Sequence, residues 1–299
     1  MTENLGLSEK HDEEDPTVDE QEQDKFPSIK RNEKWVAPLG GRNITGQYDP
    51  RVNSYNRNTL VSLVQSEPTE LDRRFMQSAQ QLNREFPFNL YPNLGDPIGV
   101  MRPFIWTRIP SNASIFKEYS EDPSSGENAP HLEIIPGNES NQVLAVVMLL
   151  TPKSRGSIRL RSSNPLDPPL IDLGLFKHLF DVETLRIGVS RAVRFFSAPA
   201  WSDYITALFT PDPDTTPREI FNEAFIRGMA GSGYHTTGTA AMSARDKLKE
   251  GVIGPDLKVK GVKGLRIVDA SVIPLIPTGH TQAPVYIVAE HAAELIREA

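Results

Sequence analysis

Twenty-five prolines interrupt this chain of 299 residues. Proline fixes φ and removes a backbone donor, so it is kept out of helix interiors and central strands. A chain broken this often builds short elements joined by irregular connections. That argues against a helical bundle or a regular solenoid, and no internal repeat is visible. The stretches between prolines carry both periodicities. Residues 67–84 place Leu71, Phe75, Ala79 and Leu82 at helical spacing, and Asp181–Phe196 does the same with Leu185, Val189, Ala192, Val193 and Phe196. A third helix is predicted from Thr216 or Pro217 to Arg227, and a last one over Pro284–Arg297, with Val285, Val288, Ala292 and Leu295 on one face. Asn141–Leu150 is an apolar run that predicts a buried strand. Arg155–Arg161 alternates apolar and basic residues, as a half-buried antiparallel strand does, and Leu265–Asp269 predicts a short strand. Mixed helices and strands predict an α+β fold, with α/β character at the C-terminal end.

Charge is concentrated in one place. Residues 1–25 hold ten acids against Lys10 and Lys25, which accounts for the net charge of −7 and leaves the body close to neutral. This composition predicts a disordered acidic tail over 1–25. With no basic stripe, nucleic acid is not an expected partner. The chain has no cysteine, which excludes disulfides, thiolate metal sites and cysteine nucleophiles. Its acidic start does not resemble a signal peptide, and no run approaches the ~20 apolar residues of a membrane span. A cytoplasmic protein without membrane attachment is therefore expected. The sequons at Asn43, Asn112 and Asn138 would fit a secreted ancestor.

Two of the six histidines sit in segments suited to chemistry. His235 lies in Gly231-Ser-Gly-Tyr-His-Thr-Thr-Gly-Thr-Ala-Ala-Met242, and His280 in Pro277-Thr-Gly-His-Thr-Gln-Ala-Pro284. Glycines and small hydroxyl residues around an imidazole let backbone and ligand come close, and imidazole accepts a proton near neutral pH. Taken alone, a histidine in a loop is usually structural or merely exposed. A metal site is not expected, because no third ligand stands nearby and the spacing fits no zinc pattern. Ser232 lacks the first and last glycines of a nucleophile elbow. Trp106, Phe116 and Phe180 suit an apolar pocket and a core equally well.

Residues 155–299 resemble the C-terminal region of the glucose–methanol–choline (GMC) oxidoreductases, most like their aryl-alcohol oxidase branch. The resemblance rests on Ser154-Arg-Gly-Ser-Ile-Arg-Leu160 with Ser162-Ser-Asn-Pro165, on Tyr234-His-Thr-Thr-Gly-Thr-Ala-Ala-Met242, on Gly264-Leu-Arg-Ile-Val-Asp-Ala-Ser271 and on His280-Thr-Gln-Ala-Pro284. Arg31–Pro38, Thr45–Pro50 and Pro110–Phe116 resemble the same family less specifically. The resemblance implies that His235 and His280 flank a flavin ring. One accepts the proton of an alcohol hydroxyl as hydride leaves for FAD, and the other holds the oxygen. It also implies that Asp269, Ala270, Gln282 and Ala283 contact the cofactor.

No Gly-x-Gly-x-x-Gly follows a strand, so the sequence offers no cradle for the FAD pyrophosphate. Family-like sequence also jumps from Asp96–Gly99 to Trp106–Pro110. The expected organisation is the acidic tail, a substrate domain over 26–263, and a remnant strand and helix of the FAD domain over 264–299. Three readings follow: an FAD-dependent alcohol oxidoreductase unable to hold FAD as a single chain, a cofactor-independent cyclase, isomerase or lyase using the same histidines, and a non-catalytic remnant. Expected partners are a small apolar or aromatic alcohol, and either a second copy or a separate flavin-binding chain.

Overall fold

The computed structural model describes residues 33–38, 44, 59–62, 68–90, 97–101, 104–119, 122–124, 126–247 and 249–298. The acidic segment 1–25 and the segment 45–50 lie outside the described residues. The expected α+β class holds: helices pack around an antiparallel sheet.

A short parallel pair, β1 (Glu33–Trp35) and β2 (Thr59–Val61), comes first. Helix α1 (Glu70–Gln81) follows, started by a capping box in which Thr69 N donates to Asp72 Oδ2 at 2.7 Å and Asp72 N to Thr69 Oγ1 at 3.3 Å. The main sheet is β3 (Gly99–Met101), β4 (Phe104–Thr107), β5 (Leu132–Glu139) and β6 (Gln142–Leu149), antiparallel throughout and in that spatial order. The short helix α2 (Ser114–Glu118) lies between β4 and β5. A hairpin, β7 (Ser157–Arg159) and β8 (Leu170–Asp172), leads to the long helix α3 (Leu179–Phe196). After α3 the chain forms a helix that changes pitch, with a π segment at Phe221–Ile226 between Arg218–Ile220 and Arg227–Met229. Helix α4 (Gln282–Arg297) ends the fold.

Helix α3 covers one face of the main sheet. Phe195 and Phe196 join Phe75, Phe86, Ile105 and Ile134 in one buried cluster, while Val182 and Leu185 join Leu132, Phe221 and Ile226 in another. Gly188 sets the contact distance, since a Cβ there would stand 2.5 Å from Val147 Cγ1 and 2.9 Å from Leu132 Cδ2. The sequence places the start of this helix at Asp181, but it begins two residues earlier. His178 Nδ1 accepts from Phe180 N at 3.2 Å, and Asp181 turns to accept Lys153 N and Ser154 N at 2.7 and 2.8 Å.

Three strand expectations need correction. Asn141–Leu150 does form a strand, but it is not buried, because α3 covers only one of its faces; Leu144 and Val146 stay exposed on the other. The alternating segment Arg155–Arg161 yields only the three residues of β7, with Ile158 and Leu160 exposed. Among the described residues its hairpin pairs only with itself. Leu265–Asp269 is not a strand: Arg266 makes a single bridge to Lys258, and Asp269 caps a 3-10 turn at Ala270–Val272. Its neighbours are turns rather than a strand, so no ladder can extend. This C-terminal part has its own small core of Ile253, Leu257, Val272 and Ala292, the last on α4.

His131 is a buried polar anchor beneath α2. Its Nδ1 accepts from Ile109 N at 3.0 Å, so its Nε2 carries the proton and donates to Asp122 Oδ1 at 2.8 Å. Arg108 completes the clip at 2.6 Å from Asp122 Oδ2. Burial pushes the His131 ring below its ordinary value, against the pull of Asp122. Burial opposes the Asp122 charge as well, yet hydrogen bonds from His131 and Ser124 outweigh it and hold the carboxyl at about 2.

Gly188→Ala should destabilise the fold by about 1–3 kcal/mol through overpacking, read as a lower urea midpoint with an unchanged slope. Acid should weaken the clip in two stages. Both groups have folded-state values below their unfolded ones, 6.5 for His131 and 3.8 for Asp122. Their contribution is therefore complete above pH 6.5, falls first as the buried ring resists protonation, and falls again from 3.8 towards 2 as Asp122 takes a proton. The Asp122 stage is worth about 1–2 kcal/mol, and Asp122→Asn should flatten it in urea melts taken across that range.

Candidate active site

The face of the main sheet turned away from α3 carries the site. Residues on opposite faces of a strand alternate, so the register sets Trp106 of β4, Glu133 of β5 and Met148 of β6 side by side in one row. Phe104, two residues along β4, shares that face. Two loops lie over it and bring in the histidines. The first passes so close to β6 that a Cβ on Gly233 would stand 2.8 Å from the Met148 methyl, and it turns through Tyr234, whose φ is 59° and whose amide donates to Ser232 Oγ at 3.0 Å. The second loop passes over the Trp106 ring, which an added Cβ on Gly279 would meet at 3.8 Å.

The two histidines, far apart in sequence, meet here. Their rings stand edge to face, with centroids 5.1 Å apart and planes at 87°. His280 Nε2 lies 3.3 Å from Glu133 Oε1, an oxygen that also accepts from Trp106 Nε1 at 2.8 Å. The Glu133 side chain is 1% exposed and that of His280 42%, so a buried carboxylate backs a ring that faces outward. Glu133 Oε2 is buried with no hydrogen-bond partner among the described residues. Among the described residues, His280 is the one group within ion-pair distance of this buried carboxyl. The His280 ring also rests on Phe104, centroids 5.6 Å apart.

The residues implied to touch a flavin are tied to this pair through backbone. Ala240 N donates to Ser271 O and Met242 N to Val272 O, both at 2.9 Å, which fastens the His235 loop to the turn after Asp269. The Asp269 carboxylate accepts Ser271 N at 2.7 Å within its own turn. Gln282 and Ala283 are exposed in the first turn of α4, just after His280.

Glu133 and Trp106 stand beside the histidine pair, and sequence reasoning missed them as a unit. The available signal was an acid set inside the apolar stretch Leu132-Glu-Ile-Ile135. Of the aromatics singled out, Trp106 lines the site, whereas Phe116 and Phe180 stack at 6.0 Å in the core beside Ile109 and Ile115.

Residues 152–289 match the GMC oxidoreductase family. The chain is 41% identical over 212 residues to a pyranose dehydrogenase of Agaricus xanthodermus, covering 64% of this chain and 34% of that protein. It is 42% identical over 197 residues to the dehydrogenase eriK of Hericium erinaceus, covering 63% and 33%. A formate oxidase structure from Aspergillus oryzae superposes with a TM-score of 0.57 at 28% identity, over 65% of this chain and 37% of that one. The chain thus spans about a third of the length of the curated relatives it matches. Over these residues the chain is similar in sequence and fold to the C-terminal region of the GMC oxidoreductases.

Proposed function

We propose that this chain provides the substrate-binding and proton-handling part of a GMC-type alcohol oxidoreductase. The observation that carries this reading is the edge-to-face pair of His235 and His280, backed by buried Glu133. Oxidising an alcohol to a carbonyl removes a hydride from carbon and a proton from oxygen. FAD, when bound, supplies the hydride acceptor. The chain's own residues handle the oxygen: with a hydroxyl placed between the rings, one imidazole accepts the proton and the other holds the oxygen through its N–H. Glu133 turns the His280 ring and offsets the positive charge that the ring carries once protonated.

The residues fit only one end of FAD. Gln282 and Ala283, exposed just after His280, would hold the flavin end, and the α4 N-terminus has no side-chain cap. The pyrophosphate end finds no glycine-rich turn in this sequence. We therefore read the chain as unable to retain FAD by itself, with the flavin half supplied elsewhere. A second reading has one observation in its favour: the proton-handling trio is complete within this chain while the cofactor cradle is not. A cofactor-independent acid/base enzyme would need only that trio.

Flavin released by denaturing the purified chain should amount to far less than one per molecule, and a stoichiometric yield would overturn the single-chain reading. Replacing His235 or His280 by Ala should lower alcohol turnover by about 10²–10⁴-fold in natively purified material. Colourless protein that still converts substrate would instead support the second reading. Glu133→Ala should cost about 1–3 kcal/mol in a urea melt, because the Trp106 indole loses its acceptor. The same change should abolish the nuclear Overhauser contact between the His280 and Phe104 rings, and Glu133→Gln should keep it.

A further inference from the structure

We infer that the groove between α3 and the segment 208–214 binds a small aliphatic amino acid, its carboxylate on Arg191 and its ammonium on Asp212 and Asp214. The groove has a volume of about 520 Å³, and none of its lining residues belongs to the histidine site. That volume lies within the range of about 300–1,000 Å³ usual for small-molecule sites. Arg191 is the cation in it whose charge is left over. Its Nη2 donates to Arg108 O at 3.1 Å, and among the described residues no acid lies within ion-pair distance of it. Burial pulls its guanidinium below the ordinary value, against the attraction of Glu85. That carboxylate is already taken, since Arg194 Nε stands 2.7 Å from Glu85 Oε2. A guanidinium offers five donors in a planar fork that matches a carboxylate, and most of this fork is unspent.

The segment 208–214 brings the opposite charge. Asp214 Oδ1 accepts from Ser190 Oγ at 3.3 Å, which ties the segment to α3, and Asp212 Oδ1 accepts from Asp214 N at 2.9 Å. Each carboxylate keeps its second oxygen without a hydrogen-bond partner among the described residues, and no described cation is within ion-pair distance of either. Charge balance then selects the ligand. Glu85, Asp212 and Asp214 against Arg191 and Arg194 leave the lining one unit negative, with the Glu85–Arg194 pair internally neutral. A simple anion drawn to Arg191 meets two unpaired aspartates, and a simple cation drawn to the aspartates meets an unpaired arginine. A zwitterion answers both. Val193 and Leu208 also line the groove, so the part of the ligand between its charges can be hydrocarbon.

The test uses the full chain, with methyl NMR of Val193 and Leu208 during titration at constant ionic strength. The probes are glycine, 4-aminobutanoate and 5-aminopentanoate, with pentanoate and pentylammonium as the two half-ligands. At least one amino acid should shift both residues saturably and bind about tenfold tighter than either half-ligand. Arg191→Gln keeps a donor for Arg108 O; it should weaken that amino acid about tenfold and leave pentylammonium no weaker. Asp214→Asn keeps an acceptor for Ser190; it should weaken the amino acid about threefold and leave pentanoate no weaker. An unchanged urea midpoint would show that each variant is folded, and Asp212→Asn carries the same expectation should Asp214→Asn fail that check. Pentanoate binding as tightly as every amino acid would overturn the inference in favour of a plain anion site. Pentylammonium doing so would overturn it in favour of a cation site. No saturable shift with any amino acid would overturn it outright.

Discussion

Helix α3 can lie flat on the main sheet because Gly188 brings no side chain between the helix and Val147 and Leu132. That contact fixes which face of the sheet is core. Ile105, Ile134 and Val147 turn towards the helix, and strand alternation then commits Trp106, Glu133 and Met148 to the opposite side. A shift of one residue in register would put Glu133 into the hydrophobic cluster and Ile134 under the histidines. The chemistry of one face is thus specified by the packing of the other.

On the open face a single carboxylate organises what lies above it. Glu133 is buried because Trp106, Met148 and the two histidine loops close over it, and one of its oxygens has no partner. A group placed only for stability would be expected to have both oxygens satisfied, since unpaired buried polar atoms cost about 1–3 kcal/mol each. Its contacts point instead to His280, whose outward ring it backs. The contrast with His131 and Asp122 is instructive. There, too, an acid meets an imidazole at 2.8 Å, but the ring's other nitrogen accepts from Ile109 N, so both nitrogens are spent on holding the fold. By contrast, His235 is half-buried and His280 exposed, so both rings can be reached from outside.

The site also explains the character of the C-terminal segment. Residues 240–242 hydrogen-bond to 271–272, and α4 begins two residues after His280, so both histidine loops are moored to one small core of Ile253, Leu257, Val272 and Ala292. This arrangement positions the rings without a continuous strand at 265–269. Exposed Leu265, Leu275 and Tyr286 around it belong to a chain that spans about a third of the length of its relatives.

By itself the sequence determined the long helices α1 and α3, because 3.6-residue spacing needs only local information: Leu71, Phe75 and Ala79 mark α1, and Leu185, Val189 and Ala192 mark α3. It also singled out His235 and His280 as candidates, set among small residues, and the resemblance implied one site for both. Tertiary structure alone decided that the two rings meet at 5.1 Å, that Glu133 and Trp106 join them, and that Asn141–Leu150 is open on one side. It also decided that 265–269 is not a strand. Each of these depends on cross-strand register or on which neighbour covers a face, and neither is encoded in the spacing of residues within one segment.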